Sequence, residues 1–222
     1  MRWQQLGLGL LWLGFVSYAF LGAPPPQPDT WEFIQRLIQF QVEGVNPLVV
    51  ALFNLMGVWP GMYASVLLTD GRGQKIPAWP FVTLSFAVGA FALLPYLALR
   101  RPFPRWQGSE SLLLRVWNSR IVGGVWLLLS LGLLLYGLAQ GSWADWWDAF
   151  QTNRFIHVMS LDFTLLWLLF PVAAWDDLQR RGLTHRGWLA LMLLPAVGAA
   201  LYLTLRPGLP NAAPATVAAG RE

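Results

Sequence analysis

Residues 73–79 read Gly-Gln-Lys-Ile-Pro-Ala-Trp, and residues 182–188 read Gly-Leu-Thr-His-Arg-Gly-Trp. In both stretches a tryptophan stands six positions after a glycine, and an Ala-Val-Gly-Ala motif follows at the same distance, at 87–90 and at 196–199. Long apolar runs lie on either side of each stretch. Hydrophobic segments that recur in the same order are typical of a membrane protein built by duplication.

The composition is also typical of a membrane protein. Of the 222 residues, 56% are hydrophobic and 12% are charged, which excludes an ordinary soluble domain. The absence of cysteine excludes disulfides, thiol nucleophiles and cysteine-ligated metals. The two histidines, His157 and His185, fall in a span and in a loop, and we predict no metal site. The net charge of +4 comes from arginines in short loop clusters, which indicates contact with lipid head groups rather than nucleic acid.

Six apolar stretches approach the length of about 20 residues that a helix needs to cross a bilayer. They cover 3–21, 47–68, 77–99, 121–139, 155–174 and 187–205. The sequence therefore predicts an all-α polytopic membrane bundle built from two three-span units, residues 1–105 and residues 106–207. Because three is an odd number of crossings, the second unit should be inverted relative to the first. A disordered tail is predicted over 208–222.

A short amphipathic segment precedes the second span of each unit. Between residues 29 and 42, apolar side chains recur near helical spacing, while charged and amide side chains point elsewhere. In the second unit, the corresponding segment carries Trp143 and Trp146 beside Asp145. Both patterns predict helices that lie on the membrane surface with their aromatic side chains at the interface.

Several glycines inside the spans predict close contacts between helices. Gly57 and Gly61 form a G-x-x-x-G pattern around Pro60, which lets two helices approach while the proline bends the span. Gly89 and Gly198, in the two Ala-Val-Gly-Ala motifs, are interpreted as packing positions of the same kind.

Very few polar side chains fall inside the apolar stretches, where they are costly and usually face a partner or a cavity. The fifth span contains His157 and Asp162, and Asn54 lies at about the same depth of the second span. One interpretation makes His157 and Asp162 a catalytic pair that protonates or orients a lipophilic substrate. In that interpretation the ligand contacts are Asn54, Ser160 and Trp167. The other interpretation makes these groups hydrogen bonds that hold the helices together.

The fifth span ends in two acidic and two basic residues. Asp176 and Asp177 stand four positions before Arg180 and Arg181, the spacing at which side chains meet on one face of a helix. We interpret this pattern as a solvated helix end held by surface ion pairs.

Four motifs in the second half of the chain carry a family resemblance: His157-Val-Met-Ser-Leu-Asp162, Asp176-Asp177, Arg180-Arg181-Gly182 and Pro195-Ala-Val-Gly198. Over about 121–206, the chain resembles the small plastid membrane family of neoxanthin synthesis, named after abscisic-acid deficiency in plants. It also resembles a bacterial and plastid membrane domain of unknown function. The resemblance implies that His157 and Asp162 are the residues to carry over. The chain departs from the plant family by its whole preceding three-span unit.

These observations lead to three expectations for function. The first is a protein that acts on or binds a carotenoid or similar isoprenoid, with no cofactor other than such a pigment. The second is a non-catalytic assembly or stability factor that contacts other proteins of a photosynthetic membrane complex. The third is a small transporter, suggested by the repeat alone. We expect a location in a thylakoid or bacterial inner membrane, and the sequence leaves open whether the chain is an enzyme.

Overall fold

The structure, a computed structural model, describes residues 2–70, 74–101 and 111–209, and all the regular elements within them are α-helices. They are α1 (Arg2–Leu21), α2 (Thr30–Ile38), α3 (Pro47–Asp70), α4 (Trp79–Val88), α5 (Ala90–Leu99), α6 (Leu112–Trp117), α7 (Arg120–Gln140), α8 (Trp143–Thr152), α9 (Arg154–Arg180), α10 (Gly187–Met192) and α11 (Val197–Leu205). Four of these helices, α1, α3, α7 and α9, are long and apolar enough to cross a membrane. The all-α prediction is confirmed. The tail predicted over 208–222 lies outside the described residues beyond Leu209.

The predicted third span folds back on itself instead of running straight through the bundle. Its two halves, α4 and α5, meet at Gly89, where φ is +52°. Gln74, before α4, donates its side-chain amide to the carbonyl of Arg101, after α5, at 2.5 Å. The Arg101 N–H donates in return to Oε1 of Gln74 at 2.6 Å. The two ends of the segment therefore lie side by side, and α4 with α5 forms a re-entrant hairpin, called hairpin 1 below.

The predicted sixth span is broken in the same way. Between α10 and α11 the chain reverses at Ala196, where φ is +56° and the Val197 N–H donates to the Pro195 carbonyl at 2.6 Å. Arg181, before α10, donates to the carbonyl of Pro207, after α11. This second re-entrant hairpin is called hairpin 2.

The two units consequently run in the same direction, and the prediction of six spans in inverted units is wrong. At one end of the bundle, the charged end, α1 and α7 begin and α3, α5, α9 and α11 finish. Contacts there include Gln5 with the Arg100 carbonyl at 2.9 Å and Arg120 with the Arg206 carbonyl at 3.3 Å. Both hairpins enter from this end. Each unit crosses the bundle only twice, and an even number of crossings returns the chain to its starting side.

The sequence predicts that the charged end is solvated, but in the structure it is buried. Asp177 Oδ2 accepts hydrogen bonds from Arg181 Nε at 2.9 Å, Arg206 Nη1 at 2.7 Å and the Tyr202 hydroxyl at 2.6 Å. The side chains of Asp177 and Arg181 are 0% exposed. Asp176 pairs with Arg100 at 3.1 Å. These bonds tie the last residues of both hairpins to the end of α9.

Two arginines connect each hairpin to the other unit. Arg100, which follows hairpin 1, donates through Nη2 to the Val172 carbonyl of α9 at 3.0 Å. Arg206, which follows hairpin 2, donates through Nη2 to the Ser65 carbonyl of α3, also at 3.0 Å. The crossed pattern places α3 and α9 together at the centre of the bundle, where they bury Trp59, Tyr63 and Phe170 against one another.

At the opposite end, the aromatic end, α3 and α9 begin beside the short helices α2 and α8. Asn46, directly before α3, exchanges hydrogen bonds with the backbone of Ser142, the residue that caps α8. Trp143 on α8 and Trp31 on α2 remain more than half exposed. Their position agrees with the interfacial helices that the sequence predicts.

Candidate functional site

Helix α9 carries His157 and Asp162 into different surroundings. The ring of His157 stacks on Phe150 with 4.3 Å between ring centroids, and its Nδ1 lies 2.7 Å from the Phe150 carbonyl. Because a carbonyl only accepts, Nδ1 must carry a hydrogen, and Nε2 forms a hydrogen bond with the Tyr18 hydroxyl at 2.9 Å. Both ring nitrogens are thus occupied in joining α1, α8 and α9.

Asp162 holds the tip of hairpin 1. Its Oδ1 accepts the Ala90 N–H, the first amide of α5, at 2.7 Å, and the residue is 5% exposed. Gly89 lies so close that a Cβ atom there would stand 1.8 Å from Oδ2. The glycine of the first Ala-Val-Gly-Ala motif is therefore required by the backbone reversal and by the carboxylate, and not by helix packing as the sequence suggested.

A cavity of about 380 Å³ opens beside this tip and is called the acidic cavity. Its walls come from α3, from the tip of hairpin 1 and from the first turns of α9. The polar side chains that line it are those of Asn54, Ser85 and Asp162, and the rest of the lining is mostly phenylalanine, methionine and valine. Asp162 lies roughly 12 Å along α9 from its start, at 1.5 Å per residue. The structure thus brings Asn54 and Asp162 together, as the sequence suggested.

The acidic cavity contains a carboxylate oxygen without a partner. Among the described residues, Oδ1 of Asp162 accepts the Ala90 N–H, and no donor reaches Oδ2. No described arginine, lysine or histidine forms an ion pair with Asp162; the described ion pairs all involve Asp176 or Asp177. An isolated buried carboxylate is costly in an apolar environment.

Ser160 and Trp167, the other predicted ligand contacts, lie elsewhere. The Ser160 hydroxyl donates to the Ile156 carbonyl of its own helix at 2.7 Å. Trp167 donates its indole N–H to the Leu193 carbonyl at 3.1 Å, which holds the turn of hairpin 2. Neither residue lines the acidic cavity.

Ser160 instead lines a second space of about 330 Å³, called the apolar groove, between α3, α7, α8 and α9. Asn46 and Asn153 precede α3 and α9 and accept the Leu48 and Ile156 amides in the first turns of those helices. Counted from these two asparagines, Leu55 in the apolar groove takes the position of Asp162, and Leu161 takes that of Asn54. The two spaces are built on equivalent parts of the two central helices, and only one contains a carboxylate.

Sequence reasoning missed two parts of the site. Ser85 attracted no notice because one hydroxyl in an apolar run is common, and its donation to the Val82 carbonyl at 2.7 Å is local. The Ala90 amide could not be identified because a broken helix exposes it. The repeated Ala-Val-Gly-Ala was the available signal, since a glycine at a fixed place in both units indicates a backbone requirement.

No protein family, curated protein or solved structure matches this chain. The resemblance to the plastid membrane family therefore remains a prediction. Within the described residues, no group of three histidine, aspartate or glutamate side chains comes together that could hold a metal ion.

Proposed function

We propose that this protein binds a lipophilic ligand of the carotenoid or isoprenoid type in the acidic cavity, drawing it from the surrounding bilayer. The observation that carries the proposal is the Asp162 carboxylate, which is buried, pairs with no described cation and lines a mostly apolar cavity. A buried ionisable group that faces a cavity is a functional-site hypothesis by default.

The surrounding walls support a ligand with a large apolar body. Phe53, Phe91 and Phe155 line the cavity together with Met56 and Met159. Aromatic rings and methionine offer broad, adaptable contact to an extended hydrocarbon. Ligand sites of this kind are mostly apolar with a few placed polar groups that fix orientation.

Asp162 has a structural role as well, and the two roles can be separated. If Asp162 served only to cap α5, one oxygen on the Ala90 N–H would be enough, as a capping serine or asparagine supplies. Asp162→Asn retains that oxygen and removes the charge. We therefore expect Asp162→Asn to fold and to lose ligand, while the matched variant Ser160→Ala, on the same helix but in the apolar groove, keeps it.

The first experiment is extraction of the protein purified gently from its native membrane, with an absorption spectrum and mass spectrometry of the extract. A stoichiometric isoprenoid that is present in the wild type and in Ser160→Ala, and lost in Asp162→Asn, would support the proposal. An extract without any such compound from all three proteins would contradict it. Recovery of the colourless protein with other membrane subunits would favour the assembly role instead.

Transport is a second candidate, and the two re-entrant hairpins favour it. Irregular backbone at mid-depth is tolerated where it is buried in protein or lines a cavity, and broken helices form the substrate sites of many transporters. Hairpin 1 ends at the acidic cavity in this way. Uptake of the extracted ligand into proteoliposomes, abolished by Asp162→Asn, would distinguish a transporter from a protein that only binds.

A further inference from the structure

We infer that the charged end faces the cytoplasm, or the stroma in a plastid, and that the acidic cavity takes its ligand from the leaflet on the opposite side of the membrane. The second part rests on the proposed function and names the source of its ligand. The orientation follows from the charges exposed at the two ends of the bundle, and the leaflet follows from the depth of the cavity.

Around its buried ion pairs, the charged end has a rim of basic side chains. Among the described residues, the exposed charged side chains at this end are those of Lys75, Arg101, Arg115, Arg120 and Arg186. The aspartates of α9 at this end, Asp176 and Asp177, are buried and pair with arginines. The described surface of the charged end is therefore positive.

The aromatic end carries the opposite charge. Within the described part of the chain, its exposed charged side chains are those of Asp29, Glu32, Glu43, Asp145 and Asp148. The arginines of this end, Arg36 and Arg154, are partly buried and donate to the Glu43 and Pro24 carbonyls at 2.9 and 2.7 Å. The described surface of the aromatic end is therefore negative.

This division of charge fits one orientation in a membrane. All described lysines and arginines except Arg36 and Arg154 lie at the charged end. Short loops rich in lysine and arginine stay on the cytoplasmic side of a membrane, where the anionic leaflet also attracts them. Six straight spans would divide these residues between the two sides, whereas the two re-entrant hairpins return them to one end.

The acidic cavity lies in the half of the bundle nearer the aromatic end. Asp162 lies about 7.5 Å to the aromatic side of Trp167, the middle residue of α9, at 1.5 Å per residue. Phe86 and Val88, at the edge of the cavity, are 52% and 39% exposed on the outer surface of the bundle. The cavity therefore opens sideways, into the hydrocarbon of the leaflet that faces away from the cytoplasm.

The orientation is tested with single-cysteine variants, since the chain itself contains no cysteine. Ala144→Cys places a thiol on α8 at the aromatic end, and Thr184→Cys places one between α9 and α10 at the charged end; both positions are exposed. The full chain is produced in a bacterial inner membrane, and spheroplasts are treated with a membrane-impermeant maleimide. We expect Ala144→Cys to be labelled in intact spheroplasts and Thr184→Cys only after detergent is added. The reverse pattern, or labelling of both variants in intact spheroplasts, would overturn the orientation.

The leaflet is tested with a lysophosphatidylcholine that carries a photoreactive diazirine on its acyl chain. Added to spheroplasts that contain the wild-type chain, it enters the outer leaflet, and mass spectrometry of the purified protein locates the crosslinks after irradiation. We expect modification of Phe86 to Val88 at the edge of the cavity. The internal controls lie on α7, where Leu138 near the aromatic end should be modified and Ile121 at the charged end should not; both are more than half exposed. Modification of Leu138 without Phe86 to Val88 would overturn the lateral opening of the cavity.

This inference and the proposed function can fail separately. A reversed labelling pattern would overturn the orientation and the leaflet, while a stoichiometric isoprenoid in the extract would still support ligand binding. An extract without any isoprenoid would overturn the proposed function and the ligand's source, while the labelling pattern would still give the orientation.

Discussion

The acidic cavity and the apolar groove are two versions of one arrangement. Each is built on equivalent turns of α3 and α9, but one contains Asp162 and Asn54 where the other has Leu55 and Leu161. The tip of hairpin 1 closes the acidic cavity, whereas α7 and α8 cover the apolar groove with Leu134, Leu138 and Trp146. In the acidic cavity, the carboxylate lies beside the first amide of a broken helix. In the apolar groove, the corresponding residue is leucine, and the helix beside it is continuous.

This difference explains why a carboxylate is tolerated in the acidic cavity and is absent from the apolar groove. Asp162 has the Ala90 N–H to accept, because hairpin 1 breaks there and leaves the first amide of α5 without a partner in its own helix. In the apolar groove, α7 runs unbroken from Arg120 to Gln140 and offers no such amide. The polarity of each space follows from the backbone beside it.

The largest expected effect comes from Gly89→Ala, which would break the acidic cavity. The new Cβ would strike Asp162 Oδ2, and alanine disfavours a positive φ. Loss of the buried Asp162–Ala90 hydrogen bond adds to that strain, so we expect the free energy of unfolding to fall by about 4 kcal/mol. Detergent unfolding followed by tryptophan fluorescence measures it.

The control for this variant is Gly57→Ala. Gly57 lines the same cavity, yet a Cβ there would meet nothing within 4 Å. It should be close to neutral or slightly stabilising. Equal losses in the two variants would show that the tip of hairpin 1 is not held as described.

The next largest effect is expected from Leu55→Asp, which places a carboxylate in the apolar groove at the position equivalent to Asp162. Leu55 is 2% exposed, and the continuous helix α7 beside the apolar groove offers no free amide to a carboxylate. We expect a loss of about 3 kcal/mol, as for an aspartate in the centre of a membrane helix. The same unfolding titration applies, with Leu55→Met as the volume-conserving control. An aspartate accepted here at little cost would refute the explanation from the broken helix.

His157→Phe should affect stability and leave the ligand in place. Phenylalanine keeps the stacking on Phe150, but the Tyr18 hydroxyl and the Phe150 carbonyl lose their partner. We expect a loss of about 2 kcal/mol, with the extracted ligand unchanged. Tyr18→Phe completes a double-mutant cycle, in which the two losses should be less than additive. Disappearance of the ligand in His157→Phe alone would return His157 to the site.

Ala196→Gly should have the smallest effect and the opposite sign. Ala196 adopts a φ of +56° at the turn of hairpin 2, a conformation that costs alanine energy and glycine little. We expect a gain of about 1 kcal/mol in the free energy of unfolding. The control Ala199→Gly, inside α11, should lose a similar amount because glycine weakens a helix interior.

The sequence predicted the helical class for a clear physical reason. Apolar runs of this length, and an aspartate within one, are features of composition that do not depend on the neighbours of a residue. Asn54 and Asp162 were identified in this way and do meet at one cavity. The same signal marked His157, which the structure surrounds with Tyr18 and Phe150.

Composition could not predict the direction in which the chain runs through the third and sixth apolar segments. A straight span and a hairpin of two short helices have the same hydropathy, so residues 77–99 and 187–205 looked like crossings. The reversal depends on single residues, Gly89 and Ala196, and on the partners that their turns meet. The inverted arrangement followed from counting these two segments as spans.

By itself the sequence determined that this chain is all-α with helices long and apolar enough to cross a membrane, because hydrophobic length is a local property. Tertiary structure alone decided that the halves run parallel, that the arginines and aspartates at the end of α9 are buried, and that Asp162 faces a cavity while His157 does not. Those outcomes depend on contacts between residues distant in sequence, such as Arg206 with Asp177 and Ala90 with Asp162. A carboxylate is the same group in any sequence; its surroundings decide whether it caps a helix, pairs with an arginine or is available to a ligand.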